Sequence, residues 1–187
     1  MRKVYLNHDG GVDDLVSLYL LLKMEDVELV GVGVIEADCY LLPAVEASKK
    51  IIHKFGSEKD KQLKVASSDS RPVNPFPKEW RMHAFTVDAL PILNEHKPIT
   101  VQDSSLKAHE DLIRALKESD EKVDLVFVGP LTDLARALDQ DPTIEENIGK
   151  LYWMGGTFLD MGNVEDPEHD GTAEWNVYWD PFAAKRV

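Results

Sequence analysis

The stretch Val27 to Ile35, VELVGVGVI, most constrains what this chain can become. It is apolar, rich in β-branched residues and continuous rather than alternating. A strand with one wet face alternates; a continuous apolar run belongs to a strand covered on both faces, as in a parallel sheet between two helical layers. Its neighbours supply the helices. Asp13 to Met24 carries Leu15, Leu18, Tyr19 and Leu22 at helical spacing. Pro43 suits the first position of a second helix that runs to Lys54, with Ala44, Ala47, Ile51 and Ile52 as its buried stripe. Further short strands read at Lys3–Leu6, Leu63–Ala66, Val123–Val128 and Leu151–Met154, with helices near Ser104–Glu118 and Leu131–Leu138. The alternation implies βαβ units with right-handed crossovers, hence an α/β fold with an open, mostly parallel sheet flanked by helices. Residues 67–100 and 155–173 read as long irregular loops, and long loops in compact domains are usually functional. In such sheets ligands bind beyond the carboxyl ends of the strands.

Charge and cysteine content narrow the partners. The chain has 187 residues, with 34 Asp and Glu against 21 Lys and Arg, a net charge of -13. Phosphate backbones and anionic lipid are repelled by such a surface, so neither nucleic acid nor a membrane is expected as a partner. No apolar run is long enough to span a bilayer and the first residues contain no signal-like apolar core, so the cytoplasm is the expected compartment. The single Cys39 excludes an internal disulfide and a cysteine-cluster zinc site, and reads as a small buried hydrophobe.

The segment Asn7-His8-Asp9-Gly10-Gly11-Val12-Asp13-Asp14 follows the first strand and opens the first helix. Three carboxylates within six residues repel one another and raise one another's pKa. A hard divalent cation removes that cost, and calcium and magnesium both favour oxygen ligands. Helix capping is the alternative, since Asp13 and Asp14 suit a helix N-terminus, but capping accounts for one Asp better than for three. The spacing is not that of an EF-hand, and Gly31-Val32-Gly33, inside an apolar strand, is not a dinucleotide fingerprint.

Four ordered segments carry a family resemblance. VYLNHDGGVDDLVSLYLLL is similar to the D-T-D-P-G-x-D-D motif of the inosine–uridine preferring nucleoside hydrolase family. LVFVGPLTDLARAL resembles its strand, G-P-L-T-N turn and helix; YWMGGTF with Gly162-Asn163-Val164 resembles its M-G-G…G-N-V segment; AEWNVYWDPFAA resembles its A-E-x-N-x-x-x-D-P-x-A-A segment. The resemblance implies a Rossmann-like nucleoside hydrolase fold and hydrolysis of the N-glycosidic bond of ribonucleosides to ribose and free base, assisted by Ca2+. It implies that Asp9 is a calcium ligand and the general base on the attacking water, that Asp14 is a second ligand, and that the Val128 carbonyl is a third. Asp13, Asn163, Glu174 and Asn176 would hold ribose hydroxyls, and Met154 would lie near the sugar. A homo-oligomer is also implied. Oxygen-rich surroundings suit the oxocarbenium character that such cleavage builds on the ribose. Read without the family, A-E-x-N is a polar strand edge with Glu174 and Asn176 on one face.

Departures from the pattern are specific. Asn7 stands where the family has its first Asp, which removes a charge and lowers the expected metal affinity. His8 replaces Thr and Gly10 replaces Pro. The usual Gly-Asn pair after the second strand reads Ala37-Asp38, putting Asp38 in the place of a ribose or water contact. In the loop around Arg81-Met82-His83-Ala84-Phe85 only His83 matches; it would face the base, with an ordinary loop histidine as the alternative. Trp80, Phe85 and Trp179 read as packing residues. Asp180-Pro181 reads as a helix start, and the chain ends soon after at Val187. Residues 1–187 therefore read as the N-terminal portion of the family fold, without the C-terminal part that supplies a further ligating Asp and a His for the leaving base. Two competitors follow: a riboside- or calcium-binding short form without turnover, and a magnesium phosphotransferase, which would need an acid at position 7.

Overall fold

The computed structural model describes residues 1–187 except 96, 97, 160 and 166. Six strands form one sheet: β1 (Arg2–His8), β2 (Val27–Val34), β3 (Lys64–Ser67), β4 (Gln102–Asp103), β5 (Val123–Phe127) and β6 (Ile148–Trp153). Their order is β4-β3-β2-β1-β5-β6, and every pairing is parallel. The expected fold class is therefore the one observed. The chain walks outward from β1 to β4, then returns to place β5 against the other side of β1. That reversal is a topological switch point, where the crossovers on either side leave a crevice at the carboxyl edge.

Helices cover both faces. On one lie α1 (Val12–Lys23), α2 (Leu41–Phe55), α3 (His83–Asp88) and α4 (Pro91–Asn94). Their Leu15, Leu18, Ala44, Ile52, Ala84 and Leu93 pack with Val4, Leu6, Val32 and Val34 of the sheet. On the other lie α5 (Ala108–Glu118) and α6 (Thr132–Gln140), whose Leu112, Leu116, Leu134 and Leu138 pack on Tyr5, Leu125 and Phe127. Two short helices, α7 (Trp175–Trp179) and α8 (Pro181–Arg186), follow β6 and its long loop. Strands β1 and β5, flanked by sheet on both edges and helix on both faces, are the hydrophobic centre.

The pleat of β1 has a consequence for the site. Successive side chains alternate between faces, so Val4 and Leu6 point to the α1–α2 layer while Tyr5 points to the α5–α6 layer. The two polar residues that end the strand follow the same rule: Asn7 enters the α6 side and His8 the α2 side, both fully buried. The glycines of β2 make room for this. A Cβ at Gly31 would lie 2.4 Å from the Tyr5 ring, and one at Gly33 would lie 2.8 Å from Asn7 Nδ2. Gly31 and Gly33 thus serve close strand packing.

Several sequence expectations change. Residues 67–100 are not wholly irregular: a 3-10 turn at Trp80–Met82 leads into α3 and α4. The periods of these six- and four-residue helices are too short to stand out beside the prolines. The A-E-x-N segment is no strand edge; Glu174 caps α7, which begins at Trp175. Helix α2 begins two residues before Pro43. The strand β4 and the 3-10 stretch Pro142–Asn147 had no sequence reading. No helix among the described residues is long and apolar enough to cross a membrane.

Candidate active site

The crevice at the switch point is walled by the turns after four strands. The turn after β1 supplies Asp9, Asp13 and Asp14; that after β2, Asp38; that after β5, Val128; that after β6, Met154. Asn163, Glu174, Trp175 and Asn176 close it from the loop after β6 and the start of α7, with Trp80 and Trp179 beside them. Every site residue expected from the sequence lines this cleft except His83, which is exposed at the start of α3. Trp80 and Trp179 pack as expected, Trp80 edge-on to Trp175 at 4.9 Å, and also form cleft wall. The open volume is about 150 Å3, below the roughly 300 Å3 of an ordinary small-ligand pocket. These walls therefore enclose part of a ligand. A larger cavity of about 330 Å3 beside β3 and α5 presents Asp111 and Arg114, which pair with each other.

Asp9 and Asp14 are the buried pair. Asp14 sits at the third position of α1, and its Oδ2 accepts the N–H of Asp9 at 3.0 Å and of Gly11 at 3.1 Å. Capping is therefore part of what Asp14 does. Asp9 Oδ2 accepts the Asp38 N–H at 3.0 Å. Both carboxyls lie almost wholly out of water. Burial raises both pKa values, and the neighbouring Asp9 charge pushes Asp14 further up. Asp38, partly buried and facing Asp9 and Asp13, is pushed up to about 7. Burial pushes the Cys39 thiol up to about 12, so it is an inert buried thiol as expected. Asp13 is exposed at the mouth.

The opposite wall is held by amides. Asn176 Nδ2 donates to the Val128 carbonyl at 3.2 Å and to the Met154 carbonyl at 2.8 Å, joining the ends of β5 and β6. Its Oδ1 is buried without a hydrogen-bond partner among the described residues, as is Asp38 Oδ1. A carbonyl oxygen has two lone pairs, so the Val128 oxygen keeps one free. Glu174 accepts the N–H groups of Asn176 and Val177 at 3.1 Å each, and that of Gly156 at 3.0 Å. Asn163 Oδ1 accepts the Trp175 N–H at 2.9 Å. Glu174 and Asn163 thus also build the wall they line. Glu174→Ala is expected to cost about 1–2 kcal/mol in urea denaturation, the size of a lost helix cap, and Glu174→Gln much less.

Asn7 does not reach the cleft. Its Nδ2 donates to Asp133 Oδ2 at 3.1 Å inside the α6 layer, and Ser68 Oγ donates to the other Asp133 oxygen at 2.6 Å. Asn7 is taken up by Asp133 and does not line the cleft that Asp9 borders, β1 having ended at His8, so the expected loss of metal affinity through Asn7 has no contact there to act through. The same placement counts against the D-x-D phosphotransferase reading, because position 7 does not line the cleft at Asp9.

An α/β chain with carboxylates and amides gathered at the carboxyl ends of β1, β2, β5 and β6 is suited to a hydroxyl-rich or cationic ligand. Comparison sharpens this. The profile of the inosine-uridine preferring nucleoside hydrolase family matches residues 4–187, and the chain belongs to that family. It is 61% identical to an inosine-uridine preferring nucleoside hydrolase of Bacillus anthracis of known crystal structure, with a TM-score of 0.96, over 100% of this chain and 61% of that one. It is 25% identical to a probable uridine nucleosidase of Oryza sativa subsp. japonica over 186 residues, 100% of this chain and 53% of the relative. A purine-preferring ribonucleoside hydrolase from Gardnerella vaginalis gives a TM-score of 0.72 at 25% identity, over 99% of this chain and 57% of that one. The chain spans about half the length of the curated relatives it matches.

Proposed function

We propose that this chain carries the ribose-binding and water-activating part of a ribonucleoside hydrolase that releases free base with the help of calcium. The observation that carries this reading is the buried Asp9–Asp14 pair at the β1/β5 switch point, in a cleft that Val128 also lines. Asp9 is desolvated, so its carboxylate is a stronger base than an exposed one. It takes a proton from a water as that oxygen attacks C1′ of the ribose. The C1′–N bond breaks, its electron pair leaves with the base, and the base nitrogen takes a proton from solvent as Asp9 returns its own, so that one water is divided between ribose and base. Asp13, Asp38, Asn163, Glu174 and Asn176 would offer oxygens and amides to ribose hydroxyls, with Met154 against the sugar.

The donor set fits a hard cation. Asp9, Asp14 and the Val128 carbonyl are all oxygen donors, and the orphaned Asp38 Oδ1 and Asn176 Oδ1 border the same cleft. Calcium held there supplies charge neutralisation and a lowered pKa for a bound water. One second reading is riboside binding without turnover, for which the carboxylates and amides lining the cleft suffice. Base release from inosine and uridine, with calcium or with chelator, tests both. Chelator-sensitive release supports hydrolysis, while riboside binding without release supports the second reading.

A pH dependence follows from the cluster. A carboxyl whose pKa is higher folded than unfolded favours the fold below the unfolded value, near 4. That contribution disappears as pH rises through the folded value, about 7 for Asp38 and raised likewise for Asp9 and Asp14. Calcium is therefore expected to raise the melting temperature by several degrees at about pH 7.5 and by almost nothing at about pH 4. Thermal melts in calcium and in chelator across that range check it; a calcium effect independent of pH would contradict a site built on these acids.

A further inference from the structure

β1 ends in two fully buried polar side chains on opposite faces, and the reaction described above leaves the one facing α2 without a role. His8 Nδ1 accepts the Gly10 N–H at 3.2 Å, and its Nε2 stands 3.1 Å from Ser48 Oγ. The Ser48 hydroxyl donates to the Ala44 carbonyl at 2.7 Å. An amide N–H can only donate, so Nδ1 carries no proton, and the proton of the neutral ring is on Nε2, directed at Ser48 Oγ. Every donor then has one direction: Gly10 to the ring, the ring to Ser48, Ser48 to α2. The circuit closes sterically, because a Cβ at Gly10 would lie 2.5 Å from Ala44 Cβ, and Gly10 has φ +89°.

The three amides of the turn divide their partners. Those of Asp9 and Gly11 donate to Asp14, and that of Gly10 donates to His8. The Gly10 N–H shares a peptide plane with the Asp9 carbonyl, which accepts the Cys39 N–H at 3.1 Å. That plane is gripped at one end by His8 and at the other by the turn after β2. We infer that His8 is a positioning residue, which, by holding the Gly10 N–H, fixes the Asp9–Gly10 peptide and hence the direction in which the Asp9 carboxylate enters the cleft. The inference rests on the proposed role of Asp9 as base and metal ligand.

The test separates the two ring nitrogens. The side-chain oxygen of Asn reproduces the Nδ1 position, while Phe keeps the ring and loses both polar atoms. Calcium titration calorimetry on the full chain is expected to give His8→Asn an affinity within about threefold of the original chain. His8→Phe should lose about tenfold or more, the size expected when a buried N–H is left without an acceptor. A ring that only fills space predicts the reverse order, and that result overturns the inference. Two measurements on the unsubstituted chain decide the case if His8→Phe fails to fold or if calcium does not bind. Imidazole 15N NMR should show Nε2 protonated and Nδ1 bare, and the Gly10 amide should exchange slowly with solvent. A protonated Nδ1 or a rapidly exchanging Gly10 amide sinks the positioning role. Absence of calcium binding with both signatures intact counts against the metal reading alone.

Discussion

Asp9→Asn is expected to slow base release by about 10²- to 10⁴-fold, the range for loss of a general base, while making the metal-free fold more stable. The two effects have one cause. Asp9 is buried beside Asp14, and desolvation disfavours its charged form. An amide keeps the oxygen that accepts the Asp38 N–H and offers an N–H₂ to Asp14 in place of a competing charge. Relief of about 1 kcal/mol would raise the melting temperature by about 2–4 °C in a chain of this size. Calcium should lose its stabilising effect in this variant. Base release and thermal melts with and without calcium check both halves. An Asp9→Asn protein with undiminished release would remove Asp9 as the base. A variant that is less stable without metal would show that the carboxylate, despite its burial, is a net structural asset.

Asn7→Asp should be the most destabilising single change near the site, at about 3 kcal/mol or more at neutral pH, because it buries an unpaired charge. Asn7 is fully buried, with its Nδ2 3.1 Å from Asp133 Oδ2. A carboxylate at position 7 would face a second one in a dry interior. Asp133→Asn alone should cost about 1 kcal/mol, since the Asn7 Oδ1, which has no partner among the described residues, can accept from a new amide. The double variant Asn7→Asp/Asp133→Asn should recover most of the loss, giving a strongly favourable coupling energy in a double-mutant cycle. The family motifs quoted above have Asp at the first of these positions and Asn at the second. Here the two are exchanged, so the buried pair keeps one charge and one amide. Guanidinium denaturation of the four proteins checks this; additive losses would contradict direct contact. The deficit of Asn7→Asp should shrink toward acid pH, where the introduced acid is protonated.

The fold was legible because its signals are local. Continuous apolar strands separated by helices of 3.6-residue period can be read within a window of a dozen residues, and they imply a parallel sheet. The acidic cluster was legible for the same reason: Asp9, Asp13 and Asp14 lie in one short segment after β1. His83 was legible only by its position in its loop; the chain between β3 and β4 folds into short helices that leave it exposed at the start of α3. Glu174 and Asn176 stood out through the family resemblance, while the residues alone read as a strand edge. Their actual arrangement, one capping α7 and the other bridging β5 to β6, depends on strands more than twenty residues away.

Residue order therefore settles the longer strand and helix segments, the fold class, and which carboxylates stand at strand ends, because each follows from short-range periodicity and turn chemistry. It does not settle what those polar groups face. Asn7 and His8 are neighbours in the chain, yet the pleat sends one to Asp133, 126 residues on, and the other to Ser48, 40 residues on. Partners at such separations are chosen by strand order and helix packing, which bring distant segments to the same face of the sheet. The same cause makes the site: only the return of β5 to the side of β1 brings Val128 to the cleft that Asp9 lines.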